Sequence, residues 1–363
     1  MRQTAPEPAP GSGEPHEGGP REPHGSAPRR ASRLRGVVTP ALLFVATCLS
    51  VLWTGSLMTN QWSAPGTLAE LASGWVYAVP LMSILLCHEL GHYIAARIHG
   101  VPASLPHFLP LPVLSPFGTL GAVIAMPERI RSRNALLDIG AAGPLAGMAV
   151  ALPVIVYGLM LSPVEAQPSG PYWQEGQSLL YWLLKYLVKG SIPSGHDVIV
   201  HPTALAGWVG LFVTMINLIP WGQLDGGHIA FALLGPLQNR LARLVRWGVF
   251  GFFVYNLASF VGPVLLEKSP MPLGVAVENS LTWLVWFGLL SLLGRVMGPD
   301  HPPVEAGALT PGRRSVAVAC LALFILLFMP TPLASYPGVP DAENLSSSAA
   351  RTTSGTYRLT SPR

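Results

Sequence analysis

The chain is short of charge. Only 11% of its 363 residues are Asp, Glu, Lys or Arg, against about 25% in an ordinary soluble domain. That deficit excludes a water-covered surface over most of its length. Cysteine is scarce as well: Cys48, Cys87 and Cys320 all lie in apolar runs, and none belongs to a CxxC pair. A disulfide framework, a zinc ribbon and a dithiol redox motif are therefore excluded. The N-terminus lacks a short basic region leading straight into an apolar core, so no secretory signal is expected. Glu7, Glu14, Glu17 and Glu22 argue against an organellar transit peptide, which is poor in acids. The formal net charge is +4, but the arginines cluster beside apolar segments, where they report topology and not nucleic-acid binding.

What the chain has in quantity is apolar sequence. Half of its residues are hydrophobic, and apolar runs fall at 37–58, 75–98, 136–160, 203–221, 246–266, 280–297 and 315–331. Each approaches the roughly 20 residues that a helical membrane span needs. The expected fold is an all-α polytopic membrane protein with about seven transmembrane helices. Arg29, Arg30, Arg33 and Arg35 precede the first run and place the N-terminus in the cytoplasm. Arg129, Arg131 and Arg133, then Arg240, Arg243 and Arg246, then Arg313 and Arg314 mark further cytoplasmic loops. The opposite loops carry Lys185, Lys189 and Lys268 alone, so the C-terminus is expected outside. Residues 1–36 are too polar to bury a core and read as a disordered cytoplasmic tail. Residues 37–74 read as the first span and an outer loop, 75–240 as a core, 241–331 as accessory spans, and 332–363 as a second disordered tail.

Two segments are not clean spans. Pro102, Pro106, Pro110, Pro112 and Pro116 break any helix over 101–127. The apolar stretch Gly118–Met126 after them is only long enough for a strand pair or a re-entrant segment, and it reads as a re-entrant, β-like segment next to the histidines of the second run, walled by protein or a watery cavity; the alternative is a membrane-surface loop. Residues 176–190 fit a short amphipathic helix lying on the outer membrane surface. Trp53, Trp62, Trp75, Tyr77, Trp208 and Trp221 near span ends suit interfacial anchoring. Gly143-Pro144-Leu145-Ala146-Gly147 has the small-residue spacing that lets helices approach closely.

The chemistry is concentrated in His88-Glu89-Leu90-Gly91-His92, an HExxH motif inside the second run. Residues four apart share a helix face, so His88 and His92 can bind one metal ion together. Glu89 falls beside them, placed as a general base on a water at that ion. Ionisable groups inside hydrocarbon are rarely without a use. A catalytic zinc site takes three protein ligands. The best third candidate is Asp225, in Asn217-Leu218-Ile219-Pro220-Trp221-Gly222-Gln223-Leu224-Asp225-Gly226-Gly227-His228. Pro and Gly there unwind the helix and let a carboxylate turn inward. Asp225 equally suits an N-cap for a helix over 228–238, and the two roles are compatible. Asp138 lies in a stretch of possible site interest, but helix capping explains it equally well, and His107, His196, His201 and His301 read as solvated loop residues.

HELGH in one span and NxxPxxxLDG in a later one resemble the site-2 protease family of intramembrane zinc metalloproteases. Phe117–Ala122 and Arg133–Gly147 are similar to that family as well, over about residues 75–240, with weaker similarity at His301-Pro302-Pro303. The resemblance implies one Zn2+ held by His88, His92 and Asp225, with Glu89 as catalytic acid/base and Asn217 near the substrate or oxyanion. It implies a multi-pass protein of a bacterial inner membrane. The expected substrate is a single-pass membrane protein, such as an anti-sigma factor or membrane-tethered regulator. No soluble stretch is long enough for a PDZ domain, so a PDZ-less branch is expected. The competing readings are a membrane metal-ion transporter, a non-catalytic scaffold and a zinc enzyme acting on lipids or prenylated peptides. Glu89 at its HExxH spacing and the absence of inverted repeats argue against the first. The intact motif argues against the second, and the NxxPxxxLDG context against the third.

Overall fold

The computed structural model describes residues 28–337 apart from 61, 127–129, 299, 303 and 306. The helices are α1 (Pro28–Thr59), α2 (Leu68–Ser73), α3 (Trp75–Ile98), α4 (Arg133–Leu161), α5 (Leu179–Lys189), α6 (Pro202–Asn217), α7 (Asp225–Leu234), α8 (Leu237–Leu265), α9 (Leu273–Ser280), α10 (Thr282–Met297) and α11 (Pro311–Leu327). Strands β1 (His107–Pro110), β2 (Thr119–Val123), β3 (Val164–Ala166), β4 (Tyr172–Glu175), β5 (His196–Val198) and β6 (Leu333–Tyr336) form the antiparallel pairs β1–β2, β3–β5 and β4–β6.

Among the described residues, five helical segments are long and apolar enough to cross a membrane: α1 from Gly36, α3, α4, α8 and the α9–α10 stretch from Leu273 to Val296. They mark an integral membrane protein. The expected count of seven is not met by length. The fourth and seventh apolar runs form α6 and α11, of 16 and 17 residues, or about 24–26 Å against a hydrocarbon core of about 30 Å. Chain chemistry sets those ends. Beyond Asn217, Pro220 removes a donor and Gly222 takes φ +53°, so α6 cannot continue. Arg313 and Arg314 occupy the first turn of α11.

Helices α3, α4 and α6 make the centre of the bundle. Pro80 cannot donate to the Val76 carbonyl one turn back, and the Thr203 hydroxyl of α6 donates to it instead, at 2.8 Å. Small residues bring α3 and α4 together as expected: a Cβ on Gly91 would lie 2.5 Å from the Ala142 carbonyl oxygen. Trp208 is fully buried, stacks on Phe212 and donates to the Gly176 carbonyl at 2.8 Å. Trp221 and Tyr77 are buried too, which corrects the interfacial role expected for all three, while Trp62 and Trp75 are exposed.

The stretch after the proline cluster supplies one strand, β2, and its antiparallel partner β1 lies among the prolines, at His107–Pro110. Ser50 of α1 donates to the Gly118 carbonyl at 2.5 Å, and the Tyr77 hydroxyl donates to the Phe117 carbonyl at 3.2 Å. The segment 176–190 does contain a helix, α5, but Lys185 does not face water. It is buried, with Nζ 3.1 Å from Glu175 Oε1 and 3.4 Å from Asp197 Oδ1. Helix α1 starts at Pro28, inside the segment 1–36, and β6 pairs with β4 beyond residue 332. Residues 1–27 and 338–363, with Arg129 and Pro303, lie outside the described residues.

Candidate metal centre

His88 and His92 lie about one turn apart on α3, roughly 15 and 9 Å along the axis from its end at Ile98. Asp225 arrives from another part of the fold. Helix α6 ends at Asn217, the chain turns through Pro220 and Gly222, and α7 starts at Asp225. Asp225 is therefore the first helical residue and not a cap. The N-cap position is Leu224, with no side-chain cap bond, and a carboxylate at that end meets the favourable pole of the helix dipole.

The three donor atoms converge. His88 Nε2 lies 3.3 Å from Asp225 Oδ2, His92 Nε2 lies 3.2 Å from the same oxygen, and the two Nε2 atoms are 3.2 Å apart. A tetrahedral zinc ion with ligand bonds of about 2.0–2.1 Å has donor–donor edges of about 3.3–3.4 Å. The triangle fits one face of that tetrahedron, and two imidazoles with a carboxylate suit zinc. His92 Nδ1 is 2.7 Å from the Ile139 carbonyl oxygen. A carbonyl only accepts, so the proton sits on Nδ1 and the Nε2 lone pair faces the other donors. Gly143 of α4 leaves room for this ring, since a Cβ there would strike His92.

The donors line a cavity of about 550 Å³ shared by Glu89, Asn217 and the Ala122–Met126 segment. Glu89 is itself buried. Asn217 Nδ2 lies 3.2 Å from His88 Nε2, so this sequence-derived candidate also reaches the site. Two expectations fail nearby. Asp138 does not cap α4, because Ser132 does. Asp138 instead accepts from Arg313 Nη2 at 2.7 Å and pairs with His99 Nε2 at 2.8 Å, joining α11, α4 and the end of α3. His301 is not solvated: it is buried in the cavity wall with its Nε2 2.8 Å from His228 Nδ1. Its one sequence signal was the weakly family-like His301-Pro302-Pro303.

The family model described as peptidase family M50 matches residues 76–255. Residues 76–255 of the chain belong to peptidase family M50. The chain is 30% identical over 264 residues to the probable zinc metalloprotease EGY2, chloroplastic, of Oryza sativa subsp. indica, covering 70% of this chain and 48% of the relative. It is 32% identical over 195 residues to the probable zinc metalloprotease EGY1, chloroplastic, of Arabidopsis thaliana, covering 52% and 34%. The chain thus spans about half or less of the curated relatives it matches. No solved structure matches it significantly. The M50 segment holds α3, the β1–β2 hairpin, α4, α6 and α7, hence every donor of the convergent triangle. His301 lies beyond it.

Proposed function

We propose that the chain is an intramembrane zinc metalloendopeptidase that hydrolyses a peptide bond in or near the transmembrane segment of a single-pass membrane protein. One observation carries this reading: a zinc-sized donor triangle, His88, His92 and Asp225, with Glu89 beside it in a cavity set into a membrane-length helix. A zinc ion held by His88, His92 and Asp225 would supply Lewis acidity, polarising the scissile carbonyl and acidifying the attacking water. Glu89 takes the proton of the attacking water on its carboxylate and delivers it to the leaving amine nitrogen. Asn217 Nδ2 donates to the oxygen that gains charge as the carbonyl becomes tetrahedral. The peptide bonds of a substrate helix are hydrogen-bonded internally, so the substrate unwinds before attack. Strand β2 pairs with β1 alone among the described residues, and Ala122–Met126 line the cavity. These two facts favour an extended substrate added at the free edge of β2.

Seven crossings remain the topology of choice, with α6 and α11 as short crossings. The β4–β6 pair supports it, because four crossings after the 161–202 segment return the chain to the same face at Leu333–Tyr336. The arginine pattern assigns that face to the outside and the N-terminus to the cytoplasm. The deciding experiment is mass-spectrometric mapping of the cut in single-span substrates co-reconstituted with the protein. Cuts inside or within a few residues of the span support the reading; cuts confined to soluble domains overturn it.

A further inference from the structure

The α10–α11 segment lies outside residues 76–255, yet it supplies cavity wall through His301, Pro302 and Val304. His301 comes from a polar loop and is only 6% exposed. Its ring stacks on Phe231 of α7, with centroids 4.1 Å apart and planes 18° from parallel. Its backbone amide donates to Asn239 Oδ1 at 3.1 Å. Its Nδ1 lies 2.8 Å from the Pro302 carbonyl oxygen and its Nε2 lies 2.8 Å from His228 Nδ1.

These contacts fix the protons. His301 Nδ1 faces a carbonyl, so it carries the hydrogen, and the neutral ring offers a lone pair at Nε2. Burial pushes His301 below the ordinary imidazole range, in keeping with a neutral ring. His228 must then donate from Nδ1. His228 follows Asp225 by one turn on the same face of α7, and Phe231 follows His228 by another. The start of α7 is therefore held from two directions. Asp225 reaches His88 and His92, while His228 and Phe231 are held by His301.

We infer that His301 is a positioning residue of the metal centre: through its hydrogen bond to His228 it fixes the first turn of α7 and so sets Asp225 against His88 and His92. This rests on Asp225 being a zinc ligand, and it extends the working site beyond the family segment. The test uses the full chain purified in detergent. His301→Phe keeps an aromatic ring on Phe231 but offers no acceptor to His228. His301→Gln gives up the ring but keeps an acceptor near the place of Nε2. Two readouts need no substrate: the rate of zinc release to a chelator, and the visible spectrum of the cobalt-loaded protein. His301→Phe should release zinc at least about tenfold faster with a changed cobalt band, and His301→Gln should stay within about threefold of wild type. Equal behaviour of the two variants, or damage confined to His301→Gln, overturns the inference. If His301→Phe does not fold, His228→Asn, which keeps a donor, is compared with His228→Leu, which does not; equal release from that pair overturns it as well. A wild-type protein that holds zinc and cleaves nothing would sink the protease reading while leaving this inference intact.

Discussion

Adding a single carbon atom at Gly143 should empty the metal centre. A Cβ there falls inside contact distance of Nε2, Cδ2 and Cε1 of His92. Non-bonded carbon contacts settle at about 3.5–4.0 Å, so the ring must move by roughly 1 Å or more. A zinc–ligand bond tolerates about 0.2 Å, so His92 leaves the donor set. Losing a supporting partner of a ligand already costs about 10–100-fold in metal affinity. Losing the ligand itself should cost at least about 100-fold, or about 2.8 kcal/mol. Effects on the fold are smaller and opposed. Gly→Ala in a helix gains about 1 kcal/mol of propensity, and overpacking costs about 1–3 kcal/mol. Gly147→Ala is the matched control, because a Cβ there meets His88 Cβ and Nδ1 at 3.2 Å and a shift of a few tenths of an ångström relieves it. Its affinity should fall by less than about tenfold. The assay is zinc per chain by plasma mass spectrometry, followed by chelator competition, with thermal midpoints measured in parallel. A Gly143→Ala protein that binds zinc as tightly as wild type would refute the geometry.

Further outcomes follow from the same contacts. Asp225→Ala should bind well under one zinc per chain, and unchanged stoichiometry would reject Asp225 as a ligand. Asn217→Ala should keep its zinc and lose about 10²–10³ in kcat; an unaltered kcat would remove Asn217 from the reaction. Lys185→Met leaves the buried Glu175 and the partly buried Asp197 without their cation. It should cost about 3–5 kcal/mol, read as a drop in thermal midpoint of several degrees, and a midpoint within one degree or so of wild type would contradict that.

Much of the site is legible in the chain because it is local. His88, Glu89 and His92 need nothing beyond helical spacing, and the Pro220–Gly222 break announces that Asp225 can turn inward. The β-branched stretch after the proline cluster announces strand β2 but not its partner β1, which lies among the prolines, and Gly143–Gly147 announces close packing on α3. What is illegible depends on contacts distant in sequence. His301 owes its burial to Phe231, His228 and Asn239, all at least 62 positions away. Asp138 reads as a cap until Arg313, 175 positions on, is placed beside it. Lys185 follows the pattern of a solvated helix face, yet its acidic partners come from β4 and β5. Helix length is not read off a count of apolar runs: α6 stops at Asn217, ahead of Pro220 and Gly222, and α11 takes in Arg313 and Arg314 and stops at Leu327, so both fall short of 18 residues.

The proposed cleavage depends on Glu89 moving the proton at a zinc site inside the membrane. Wild type and Glu89→Gln, purified in detergent with zinc quantified, can be incubated side by side with a panel of single-span substrates. Both proteins should hold equal zinc, wild type should cleave, and the variant should lose at least about 10²-fold in rate. A Glu89→Gln protein that cleaves at the wild-type rate would contradict it.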